Sequence, residues 1–164
     1  MAYPNILSRR LNAEFVNLGF SGNGMGEPAL AHLINQIKDK QMLILDYEAN
    51  VHDKIKLTLE SFIDIVRSNN KTLPILVISK IRYAAEIYNE ASLKRQKSVA
   101  AFQKALVEKK KASGDHNIYY LDGGKLLGEN ADECTVDGIH PTDFGFMKMA
   151  NGIEPVIREI LDIR

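Results

Sequence analysis

Apolar and polar positions along this chain switch repeatedly between a helical period and short continuous apolar runs. Pro4 suits the first turn of a helix, with Ile6, Leu7 and Leu11 at helical spacing behind it. Phe15-Val16-Asn17-Leu18 reads as a strand that ends in a glycine-rich loop from Gly19 to Gly26. Glu27 and Pro28 open a helix with Leu30, Leu33, Ile34 and Ile37 on one face. Met42-Leu43-Ile44-Leu45 is a second strand, apolar at every position as in a sheet buried on both sides. Ile55, Leu59, Phe62, Ile63 and Val66 predict a helix ending near Ser68-Asn69-Asn70, and Pro74-Ile75-Leu76-Val77-Ile78 a third strand. A long polar helix from about Ile87 to Ala112 is stopped by Ser113-Gly114, and Ile118-Tyr119-Tyr120-Leu121 reads as a fourth strand. From Asp143 onward, Phe144, Met147, Ala150, Ile153, Ile157 and Leu161 mark a last helix that Gly152 and Pro155 should kink or divide.

Strands alternating with helices imply right-handed crossovers and a parallel sheet covered on both faces. The expected fold is therefore α/β, a three-layer α/β/α flavodoxin-like sheet, in a single domain spanning residues 1–164. Ligands in such sheets sit beyond the carboxyl ends of the strands. Three chemically suggestive segments follow predicted strands: Gly19 to Gly26, Asp46-Tyr47-Glu48-Ala49-Asn50, and Asp137-Gly138-Ile139-His140-Pro141.

Composition narrows the function classes. The 21 basic and 21 acidic residues cancel, so no net field points to nucleic acid or a charged membrane surface. No apolar run approaches the roughly 18 residues of a membrane span. A lone cysteine, Cys134, excludes an intrachain disulfide framework and a cysteine-rich metal site, and is expected to be a small buried side chain. No signal peptide is visible, and the compartment stays open among cytoplasm, periplasm and secretion.

Asp137 and His140 stand three positions apart on what reads as a tight loop. An aspartate can hold an imidazole in one tautomer and stabilise its cation, which a general base needs when it deprotonates a hydroxyl. Gly22 allows the backbone to approach a substrate closely, so its N–H can meet an oxyanion; equally, the glycines of this loop can serve only as a flexible turn. Asn50 offers a neutral amide donor, or a simple capping side chain. Asp46 can accept backbone hydrogen bonds, and Glu48 is expected to be solvated. His32, His52 and His116 read as surface polar groups, and Lys109-Lys110-Lys111 as a solvated helix end. One ring of the Tyr119-Tyr120 pair is expected in the core and one outside it.

In order along the chain, these segments resemble the SGNH (GDSL-like) hydrolase superfamily, particularly the bacterial GDSL-like lipase/acylhydrolase subfamily. Asn17-Leu18-Gly19-Phe20-Ser21-Gly22 resembles the second conserved block, which implies that Gly22 gives an oxyanion-hole N–H. Asp46 to Asn50 is similar to the subfamily's third block and implies Asn50 as the second oxyanion donor. Asp137 to Pro141 resembles the fifth block, with Asp137 and His140 catalytic. The first block, where the family carries its nucleophilic serine in Gly-Asp-Ser or Gly-Ser-Ser, has no counterpart here. The expectation is that the nucleophile block and first strand lie upstream of Met1, and that the chain as given is inactive. Ser21 is the substitute nucleophile of last resort. The resemblance implies ester hydrolysis through an acyl-enzyme with no metal or organic cofactor, acting on a small-molecule or carbohydrate acyl ester. The rivals are a non-catalytic binding module that keeps the cleft, and a flavodoxin-like regulatory or nucleotide-binding domain.

Overall fold

Three of the predicted apolar runs are the strands of a parallel sheet: β1 (Leu43–Leu45), β2 (Ile75–Ile78) and β3 (Ile118–Leu121). Their order is β1-β2-β3, with Leu43 beside Ile75 and Ile75 beside Ile118. The computed structural model describes residues 1–129 and 131–163. Among the described residues there are six α-helices: α1 (Tyr3–Leu11), α2 (Pro28–Gln36), α3 (Glu48–Val51), α4 (Ile55–Asn69), α5 (Glu90–Ala112) and α6 (Asp143–Leu161). The architecture is α/β, as the alternation of periods predicts. No helix among the described residues is long and apolar enough to cross a membrane.

The residues gather into two compact units, each drawn from separated stretches of sequence. One comprises Gly19–Lys80 and Arg95–Leu121 and contains the sheet. All four residues of β2 are buried, as befits a central strand. Beside the sheet, α4 buries the five apolar residues that predict it, Ile55, Leu59, Phe62, Ile63 and Val66, and packs against α2. Helix α2 buries Ala31 and Ile34, while Leu33 is exposed, so its inner face is narrower than the pattern suggests. The Arg67 guanidinium closes the lower loops of this unit. It meets Asp115 through Nε and Nη2 at 2.7 and 3.1 Å and donates to the carbonyls of Asn70, Leu73 and Asn117.

The lysine run does more than solvate a helix end. Lys109 and Lys110 on α5 reach Glu60 and Asp64 on α4, and Lys111 lies over the Tyr119 ring. Tyr119 and Tyr120 are both half-buried rather than one in and one out, because the Tyr120 hydroxyl turns to Ser79 and Lys111 covers Tyr119.

The other unit comprises Met1–Leu18, Ile81–Lys94 and Asp122–Arg164. Its core forms where α1, through Ile6 and Leu7, packs on α6, which buries Ile153 and Ile157. Helix α6 is not divided: it runs unbroken through Gly152 and Pro155. An interior proline costs about 3 kcal/mol, and the burial of Ile153 and Ile157 on either side offsets it. Gly152 is required there, since a Cβ would run into the Leu126 side chain.

The predicted strand at residues 15–18 does not form. Val16 is 60% exposed and the segment is irregular, so the glycine-rich loop does not follow a strand here. Strand propensity expresses a fit to a neighbouring pleated surface, so the strand-favouring side chains of Phe15 and Val16 do not make a strand on their own.

Candidate active site

Residues 134–142 form a tight loop closed by an antiparallel bridge between Thr135 and Pro141. Within it, Val136 N–H donates to the His140 carbonyl at 2.8 Å, and Thr142 N–H to the Cys134 carbonyl at 2.8 Å. Gly138 holds φ +85°, a left-handed conformation that most side chains avoid, and this lets the loop fold back on itself. The turn delivers three donors to one carboxylate. Asp137 Oδ1 accepts from the amides of Ile139 and His140 at 3.0 and 2.8 Å, and Oδ2 meets His140 Nδ1 at 2.7 Å. The two main-chain bonds and the imidazole hold the Asp137 carboxyl well below the usual carboxylate range, with the His140 amide contributing most. An ionised carboxylate at Nδ1 fixes the proton on that nitrogen, leaving the Nε2 lone pair to accept another. The imidazole is 77% exposed, so Nε2 is open to a reacting hydroxyl.

Helix α6 begins where this loop ends and is fixed to it. Thr142 caps the helix by accepting from Gly145 N–H at 3.1 Å. A Cβ on Gly145 would collide with the Cys134 carbonyl and press on Pro141. Gly145 therefore sets how closely α6 approaches the Asp137–His140 turn, a role that sequence reading missed; its place three residues after a threonine cap was the available signal. Cys134 is fully buried, as expected, and burial pushes its thiol up from its ordinary value.

Gly22 and Asn50 belong to the sheet-containing unit. Phe20, Ser21 and Gly22 form a short 3-10 turn with three successive positive φ angles, 47°, 46° and 88°. Gly22 is the only one of the three free of a Cβ penalty there, and the space beside it is open. Ser21 is exposed on this turn. The loop continues to Gly26, where a Cβ would fall 2.7 Å from the Tyr47 ring, so only glycine fits beneath that ring. Tyr47 is held in turn by Thr58, hydroxyl to hydroxyl at 3.0 Å. Asn50 lies half-buried on α3 and donates one amide N–H to the Gly24 carbonyl at 2.9 Å. That bond and the Tyr47–Gly26 contact join the loop carrying Gly22 to the segment carrying Asn50, and the second Asn50 N–H remains for another acceptor.

Glu48 is the largest departure from the sequence reading: it is buried rather than solvated. Its Oε2 accepts from Lys80 N–H at 2.7 Å and from Gln103 Nε2 at 2.5 Å. Burial leads among the influences and pushes its carboxyl above the ordinary value, against those hydrogen bonds and the Lys80 charge. Its partners lie 32 and 55 positions away in sequence, which no local pattern reveals. His32 and His116 are exposed, as expected, on α2 and beside β3. Among the described residues, no cluster of three or more His, Cys, Asp or Glu side chains is arranged to hold a metal ion.

The sequence matches the GDSL-like Lipase/Acylhydrolase family over residues 1–158. The chain belongs to that family. A GDSL-like lipase from Bacteroides ovatus has a similar structure, with a TM-score of 0.90 and 32% identity over 99% of this chain and 48% of its own. The salicylyl-acyltransferase SsfX3 of a tetracycline biosynthetic pathway superposes with a TM-score of 0.76 at 19% identity, covering 99% of this chain and 50% of its own. A carbohydrate acetylesterase family member from Sinorhizobium meliloti shares the fold with a TM-score of 0.72 at 17% identity, covering 98% and 87%. The chain thus spans about half the length of the first two of these structures. No curated protein compared with it matches its sequence.

Proposed function

We propose that this member of the GDSL-like family serves ester hydrolysis, with His140 as general base and Asp137 as the group that orients it. The observation that carries the reading is the 2.7 Å contact between Asp137 Oδ2 and His140 Nδ1, with Oδ1 fixed by two main-chain amides. In this scheme Nε2 takes the proton of an attacking serine hydroxyl. The oxygen then adds to the ester carbonyl, and the imidazolium returns the proton to the departing alcohol. Gly22 N–H and the second Asn50 N–H are the proposed donors to the oxyanion, following the family resemblance of their segments. Water repeats the cycle on the acyl-enzyme. The 164 residues contain no Gly-Asp-Ser or Gly-Ser-Ser, and Ser21 is the hydroxyl nearest in sequence to the glycine.

The proposed substrate is a small acyl ester, an acetylated carbohydrate being the preferred class. Similarity of fold to carbohydrate esterases supports that choice. The test is p-nitrophenyl acetate hydrolysis by the protein expressed from its complete reading frame. His140→Ala should abolish turnover above background, and Ser21→Ala should not. Turnover that survives His140→Ala would refute the assignment of the base.

A further inference from the structure

Beneath α3 lies a buried polar chain that the proposed chemistry does not use. Glu48, Lys80, Gln96 and Gln103 are each at most 6% exposed. Gln96 Nε2 donates to the Lys80 carbonyl at 3.4 Å, Lys80 N–H donates to Glu48 Oε2, and Gln103 Nε2 donates to the same oxygen. Buried polar groups are tolerated when hydrogen-bonded, and a fully apolar contact at this place would cost less to bury. What the carboxylate provides is a fixed position. Glu48 is the first residue of α3, two before Asn50, and its partners sit just past β2 and on α5. A four-residue helix has too few internal bonds to hold its own orientation.

We propose that Glu48 is a positioning residue that anchors α3 to the end of β2 and to α5, and thereby sets where the Asn50 amide points. This rests on the reading of Asn50 as an oxyanion donor. Asn50 already commits one N–H to Gly24, so the direction of the other follows the orientation of α3. Displacing a reacting or stabilising group by about 1 Å costs on the order of 10²-fold in rate.

The experiment uses the complete reading frame and measures kcat, KM and Tm. Glu48→Leu keeps the volume but strands the Lys80 and Gln103 donors; it should lower kcat about 10- to 100-fold with KM little changed. Glu48→Gln, whose amide oxygen can accept both donors, should recover most of that loss. In an Asn50→Ala background, Glu48→Leu should produce no further fall in kcat, because the group it positions is gone. Should Glu48→Leu not fold, Gln103→Met removes one of the two donors and should show a smaller loss that likewise vanishes in the Asn50→Ala background. Additive losses, or a Tm drop with kcat intact, would overturn the inference while leaving the hydrolase reading in place. If Asn50→Ala alone leaves kcat unchanged, the oxyanion assignment itself fails, and the positioning role fails with it.

Discussion

Asp137→Asn isolates the proposed orienting role of the carboxylate from its role in the loop. The amides of Ile139 and His140 both donate to Oδ1, so the asparagine carbonyl oxygen should take that place and keep the turn. Its NH2 then occupies the position of Oδ2, 2.7 Å from His140 Nδ1 in the native loop. An amide nitrogen can only donate, so the imidazole must turn its Nδ1 lone pair inward and carry its proton on Nε2. That is the wrong tautomer for a base. In trypsin the equivalent change costs about 10⁴ in kcat, or about 5.5 kcal/mol of transition-state stabilisation. Here the imidazole and carboxylate are 77% and 51% exposed, so water competes to orient the ring. We therefore expect a loss between about 10² and 10⁴ in kcat/KM for p-nitrophenyl acetate. Nitrogen NMR of the His140 ring should show the proton moved to Nε2, and Tm should change little. A changed tautomer with kcat/KM within about threefold of the parent, less than 1 kcal/mol, would refute the reasoning.

Three further outcomes follow from the packing. Gly145→Ala should be destabilising by about 1–3 kcal/mol and should slow hydrolysis, since its Cβ collides with the Cys134 carbonyl and moves α6 off the Asp137–His140 loop; urea unfolding beside a rate measurement checks both. Arg67→Met removes the partner of Asp115 and of three carbonyls at a site about one-seventh exposed, so a loss of about 3 kcal/mol and a fall in Tm of roughly 6–12 °C are expected by calorimetry. Burial raises the folded-state pKa of Glu48, with Asp46 adding to the rise and Lys80 opposing it, so the folded protein holds that proton more tightly than the unfolded chain. Stability from this group is present at low pH and lost as pH rises through its folded pKa. Between about pH 4 and pH 7, urea unfolding should show the stability of Glu48→Gln gaining on the parent, and a gap moving the other way contradicts the burial argument.

What was legible in the sequence was local. Ile55, Leu59, Phe62, Ile63 and Val66 predict α4 because one face repeats over four turns, and the unbroken apolar run 75–78 predicts a strand buried on both sides. The Asp137–His140 pairing was readable for the same reason: three residues and a glycine suffice to build it. The run at 15–18 misled because β-propensity takes effect only where a strand pairs into a sheet, and this run forms no strand. Glu48, Gly26 and Gly145 were illegible as site residues because their meaning depends on distant partners: Lys80 and Gln103 for the first, the Tyr47 ring for the second, the Cys134 carbonyl for the third. One clue did lie in α5. Gln96 and Gln103 share the inner stripe of that helix with Val99, Leu106 and Val107, and an amide at a core position calls for a buried polar partner.

The most direct measurement of the central claim is covalent labelling of the protein from its complete reading frame by a fluorophosphonate, followed by intact mass. The account predicts one adduct, on a serine, formed at a rate that collapses in His140→Ala and falls strongly in Asp137→Asn. No adduct on the parent protein, or labelling undiminished without the imidazole, would contradict it.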